Sequence, residues 1–211
     1  MDDLDLKGFS GRVRLFPLPG FVMFPNTVAP LHIFEPRYRA MTEHALAGDR
    51  LIAMVRLLGD GGPRPPVEQV GCLGRIIHHE RLHDGRFNIL LLGRKRVRLL
   101  RETDDDEPYR IAEAELIEDV PMPGDQTAPC AEIVELVRQA TGVDQDLMEL
   151  LLRADSLGTM ADVIAHALPA PADWKQRMLA ESSVEARVAA IRRRLQDVPS
   201  GRPFPPPFSA N

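Results

Sequence analysis

Apolar positions along the first 119 residues come in short runs, and beyond them the spacing turns helical. The stretches 13–16, 28–33, 51–57, 70–79, 86–92, 96–102 and 110–117 have the length and β-branched content of strands. Turn residues separate them. "HDGR" at 83–86 carries the Asp-Gly pair of a tight hairpin, "GDGGPRPP" at 59–66 reads as a long loop, and "RETDDDEPY" at 101–109 reads as a second hairpin tip. Many short strands broken by turns predict a barrel or sandwich rather than a parallel α/β sheet.

One helix interrupts these strands. In "LHIFEPRYRAM", residues 31–41, the proline disfavours helix at Glu35 and suits the first helical position itself. Tyr38, Met41 and Ala45 then repeat at helical spacing up to Gly48. The segment predicts strand, sharp corner, helix, with the Glu35 charge at the positive end of the helix dipole. Glu35, Pro36, Arg37 and Tyr38 are the residues of this corner.

"DVPMPGDQTAP" at 119–129 breaks both kinds of element and marks a boundary. Beyond it Ile133, Val134 and Val137 share a helix face that ends at Gly142, and Leu147, Leu150 and Leu151 mark a second helix. Thr159 is the expected N-cap of a third helix with Val163, Ile164 and Ala167 inward. Trp174 and Met178 mark a fourth. In the last, Ser182 and Glu185 read as a capping box before Val184, Val188, Ile191 and Leu195. The pattern divides the chain into a β subdomain at 11–119 and a helical subdomain at 127–197. Residues 1–10 and the Pro-rich 199–211 are expected to be flexible termini.

Composition narrows the functional classes. A chain of 211 residues with 44% hydrophobic and 27% charged residues is globular in type, and its net charge of −5 gives no general field for nucleic acid. Cys72 and Cys130 match no metal or redox spacing and read as packed thiols of a reducing compartment. The acidic N-terminus lacks the apolar stretch of a signal peptide, and no run is long enough to span a membrane. A cytoplasmic protein is expected.

Candidate chemistry is sparse. "HERLH" at 79–83 matches a zinc-protease pattern, but that chemistry needs a helix to bring both histidines to one ion. On a strand His79 and His83 stand about 13 Å apart at ~3.3 Å per residue. No metal and no cofactor are expected. In "GRKRVRLLR" at 93–101, strand alternation puts Arg94, Arg96 and Arg98 on one face, either an anion-binding stripe or a solvated surface. Only three lysines occur among the 26 basic residues, so arginine clusters also arise by chance. No nucleophile elbow or phosphate loop is present, and no catalytic residue is expected. Phe21, Met23 and Phe24 lie in the Pro-bounded "PGFVMFPN" at 19–26. Exposed, they suit contact with apolar peptides; otherwise they belong to the core.

"LFPLPGFVMFPNTVAPLHIFEPRYRAM", with "VGCLGRI", "DGRFNILLLGRKRVRL" and "YRIAEAELIED" after it, resembles the N-terminal domain of the Lon protease family. "ADVIAHAL" and "KQRMLAESSVEARVAAIRRRL" resemble the helical section of that domain, so the resemblance spans 11–197. It implies an α+β fold: a PUA-like β pseudobarrel with one short helix, then a C-terminal helical bundle. It implies a stand-alone, non-catalytic form, because the ATPase and Ser-Lys protease modules of full Lon proteases have no counterpart here. The implied function is binding of unfolded or degron-bearing proteins, as an adaptor in protein quality control. The partners implied are such proteins and peptides, a cooperating protease or chaperone, and a second copy of the chain; a membrane is not among them. Because PUA-like barrels often bind RNA, the alternative is an RNA-binding module using the basic strand 93–101.

Overall fold

The computed structural model describes residue 6 and residues 9–59, 61–62, 64–104, 106–141 and 145–196. The expected flexible termini, and the expected helix stop at Gly142, lie outside these apart from Leu6, Phe9 and Ser10. The chain divides into two compact units between Ile117 and Glu118.

In the first unit, six strands form one mixed sheet: β1 (Arg12–Leu18), β2 (Val28–Ile33), β3 (Leu51–Arg56), β4 (Val70–Arg81), β5 (Phe87–Thr103) and β6 (Ile111–Ile117). Their order is β2-β5-β4-β3-β1-β6, and β6 also pairs with β5. Five strands therefore close on themselves, with β2 attached to the outer half of β5. Only β1 and β3 run parallel; the other pairs are antiparallel. The enclosed core takes residues from every strand of the ring, Val13 and Leu15, Ala53 and Val55, Leu73, Val97 and Leu99, Ala112 and Ala114 among them. Burying each Val or Leu contributes about 1.5–3 kcal/mol.

The runs 86–92 and 96–102 are one strand, not two. β5 continues for 17 residues through a bulge, where Gly74 faces Gly93 and Leu73 faces Lys95, so that Arg94 is the extra residue. Gly93 makes this possible. A Cβ there would lie 2.1 Å from the Phe24 carbonyl oxygen, and its backbone bonds both Thr27 and Asn26. At 83–86 the hairpin forms as read, with Gly85 at φ 80° and the Leu82 N–H bonded to the Arg86 carbonyl.

α1 (Pro36–Ala47) fills the β2–β3 connection. In the second unit α2 (Thr127–Thr141), α3 (Gln145–Leu152), α4 (Leu157–Ala167), α5 (Ala172–Ala180) and α6 (Val184–Gln196) follow one another. α4 packs on α5 and α6, and α2 packs on α6. Ile133, Val137, Val163, Ile164, Val188, Ile191 and Leu195 are buried, in line with the helical spacing. Three details differ from the sequence reading. Leu150 is 56% exposed, leaving Leu147 and Leu151 as the buried face of α3. Ser156, not Thr159, caps α4, its hydroxyl accepting from the Thr159 N–H at 3.1 Å. Ser183, not Ser182, holds the start of α6 by accepting from the Ala186 N–H at 3.2 Å, while the Ser182 carbonyl bonds Val120. In both cases the hydroxyl nearest the helical pattern belongs to a different turn position than the apolar spacing suggests.

Candidate functional site

The corner that follows β2 is built from its own four residues. Glu35 is extended (φ −65°, ψ 134°) and precedes Pro36 at the first helical position. Its carboxylate accepts from Arg37 Nε at 2.9 Å rather than capping the helix. The Arg37 guanidinium lies 4.5 Å from the Tyr38 ring centroid, and Tyr38 packs on Phe16 with centroids also 4.5 Å apart. Tyr38 is buried, which raises its phenol above the ordinary value. These contacts fix α1 on the sheet and leave Phe34, just before the corner, 61% exposed.

Of the three candidate peptide-binding residues, Met23 and Phe24 are 1% and 0% exposed. They are core, because the Pro-bounded loop folds over Gly93: Asn26 and Thr27 hydrogen-bond that glycine, and the Thr27 hydroxyl turns back to the Phe24 carbonyl. Phe21 remains half-buried at the start of the loop. The arginine stripe also fails to form. The bulge at Arg94 breaks the alternation on which a shared face depends, Arg96 is 2% exposed, and Arg98 pairs with Glu115 at 2.9 Å. In "HERLH", His79 and Glu80 stand on β4 and His83 lies in the hairpin turn. Among the described residues no group of three or more His, Cys, Asp or Glu is placed to hold a metal ion.

What the structure does present is the outward face of β2, β5 and β4. Register places Val28 beside Leu92, Pro30 beside Leu90, and Leu90 beside His78. A second bulge, between Ile76 and His78, turns Ile77 outward as the extra residue. Val28 and Ile77 are 45% and 47% exposed, and Leu90 and Leu92 half-buried. A polar rung crosses the three strands at one end: His32 Nδ1 lies 2.8 Å from Asn88 Oδ1, and Asn88 Nδ2 donates to Glu80 at 2.9 Å. Phe34 stands past this rung, its ring stacked on His32 at 6.2 Å. Pro30 on the outer strand offers no N–H for further pairing, which protects the edge. The face therefore offers apolar side chains rather than a backbone template. Sequence reading missed it, because exposed Val28, Phe34 and Ile77 belong to runs that look like core.

The chain is an α+β protein whose fold is shared by solved Lon N-terminal domains. It superposes on the N-terminal domain of Mycobacterium avium complex Lon protease with a TM-score of 0.69 at 18% identity, covering 88% of this chain and 98% of that one. With a Lon N-terminal domain protein from Xanthomonas campestris the TM-score is 0.64 at 21% identity, covering 89% and 99%. Residues 12–197 match the family described as the ATP-dependent protease La (LON) substrate-binding domain, and the chain belongs to that family. Among whole proteins it is similar to the Lon proteases of Desulfosudis oleivorans (24% identical, 87% of this chain) and Trichlorobacter lovleyi (30% identical, 73% of this chain). It spans only 23% and 20% of their lengths. The family match falls on the substrate-binding domain and not on a protease or ATPase domain. No helix among the described residues is long and apolar enough to cross a membrane.

Proposed function

We propose that the chain is a non-catalytic substrate-binding module that takes unfolded or degron-bearing protein segments on the outward face of β2, β5 and β4, as an adaptor for a protease or chaperone. The fold class in this reading is a PUA-like pseudobarrel followed by a helical bundle. The observation that carries the proposal is the exposed group Val28, Phe34 and Ile77 beside Leu90 and Leu92. Apolar side chains held on rigid strands suit non-specific contact with unfolded chain, which presents apolar side chains in no fixed order. An RNA-binding reading loses its surface, since Arg96 is buried and Arg98 paired.

The test is binding of a fluorescently labelled, permanently unfolded client protein at about 0.1 M and about 1 M salt. Phe34→Ser with Ile77→Ser should weaken binding about tenfold or more at both salts, with an unchanged melting temperature, since both side chains are exposed. Client binding that survives the double substitution would remove this face from consideration. Captured RNA that is lost at high salt would instead favour the nucleic-acid reading.

A further inference from the structure

The second unit carries a cavity of about 520 Å³ between α5 and α6. Trp174 and Met178 share one face of α5, with Glu181 just past its end, and Ala186, Ala190 and Arg194 share one face of α6. The two alanines leave room that longer side chains would fill. Arg177 and Arg193 complete the walls.

The arginines of this unit divide by partner. Among the seven described arginines of this unit, Arg138, Arg153, Arg187 and Arg192 each pair with a carboxylate. The remaining three, Arg177, Arg193 and Arg194, all line the cavity, and among the described residues none makes an ion pair. Arg194 donates to the Pro169 carbonyl at 2.9 Å, but its Nε is buried without a partner. Glu181, the carboxylate in the same wall, accepts from the Ser183 N–H at 2.8 Å instead. Position in the last turn of a helix favours a cation at Arg177, Arg193 and Arg194. It does not explain why all three meet around one tryptophan and one methionine.

We infer that the α5–α6 cavity binds an acidic segment of a partner protein that carries an aliphatic or aromatic side chain beside its carboxylates. Guanidinium groups supply paired donors for carboxylates, and Trp174 with Met178 supplies the apolar floor. Nothing in this depends on the sheet face: the residues belong to the other unit.

Trp174 is the only tryptophan of the chain, so its emission reports occupancy directly. The whole chain is titrated with an acetylated, amidated peptide of alternating aspartate and leucine, with the same peptide carrying lysine for aspartate, and with oligouridylate. The acidic peptide should change Trp174 emission saturably, and the lysine peptide should not. Arg177→Gln with Arg193→Gln should raise the Kd about tenfold or more. Ala190→Leu should do the same by filling the cavity without altering charge. Phe34→Ser with Ile77→Ser should leave the titration unchanged, which separates failure here from failure of the sheet-face proposal. No response to the acidic peptide, equal response to the lysine peptide, or indifference to both cavity variants would overturn the inference. A saturable response to oligouridylate alone would reassign the cavity to nucleic acid.

Discussion

Arg187 is fully buried, with its guanidinium 3.0 and 2.5 Å from the two Asp119 oxygens and 3.4 Å from Asp162, itself 2% exposed. Gly158 leaves the space for this group, since a Cβ there would lie 2.9 Å from Asp119 and 3.2 Å from Arg187. Removing one member of a buried ion group leaves the others charged in a poor solvent. Arg187→Met should therefore cost about 3–5 kcal/mol in urea unfolding, and Asp162→Asn added to it should restore part of the loss. The network was legible in part: Arg187 falls on the same helical stripe as Val184, Val188 and Ile191, where an arginine needs a partner. That the partner is Asp119, 68 residues earlier, was not. Glu102 gives a second prediction. Its hydrogen bonds from Arg110 hold its carboxyl below the ordinary 4.5, with Arg64 assisting. A depressed folded value contributes stability above the unfolded value, and that contribution disappears as pH falls through the folded one. Urea midpoints of the wild type should thus drop more steeply below about pH 4.5 than those of Glu102→Gln. Parallel acid limbs would show that the Arg110 contact carries no net stabilisation.

Helix starts and strand breaks show how element-level signals displace one another. The apolar spacing of α4 and α6 was readable, but their caps lie three residues and one residue away from the expected positions in opposite directions. Thr159 hydrogen-bonds Asp155, so it serves the first turn from inside it rather than closing it. Ser156→Ala should therefore lower stability by about 1 kcal/mol, and Thr159→Val by about half of that or less. The same contrast holds between Ser183→Ala, which removes the Ala186 contact, and Ser182→Ala, whose contribution to the strap at Val120 is through its carbonyl. Equal losses within either pair, measured by thermal or urea unfolding, would return the cap to its sequence-expected place. For the candidate site the obstacle was β-bulges. Two-residue alternation predicted an arginine face that the Arg94 bulge destroys. A bulge depends on how two strands pair, which local periodicity does not encode. The loop of Met23 and Phe24 was open to either reading, exposed or core, for a related reason: its core position follows from Gly93, some 70 residues on.

At the scale of the whole chain, strands followed by helices were legible because each class has its own period, and the change of period falls next to the observed division at Ile117 and Glu118. The strand pattern left barrel and sandwich open, and closure rests on β6, the last strand, reaching both β1 and β5. That placement makes the first unit dependent on its final seven residues. Arg12, Val13 and Arg14 pair with Glu113, Ala112 and Ile111, and Arg96 through Thr103 pair with Ile117 through Ile111. Without β6, both β1 and the second half of β5 become open edges, and the core loses Ala112 and Ala114 from one wall. Among the described residues the second unit contributes no strand to this ring. A fragment of residues 9–117 should accordingly fold by itself, giving a cooperative thermal transition and dispersed amide resonances. A fragment ending at residue 104 should show neither and should aggregate through its exposed edges. If the longer fragment fails while the full chain folds, the ring draws stability from beyond residue 117. If the shorter one folds, β6 is an accessory strand and the closed ring is not what holds the first unit together.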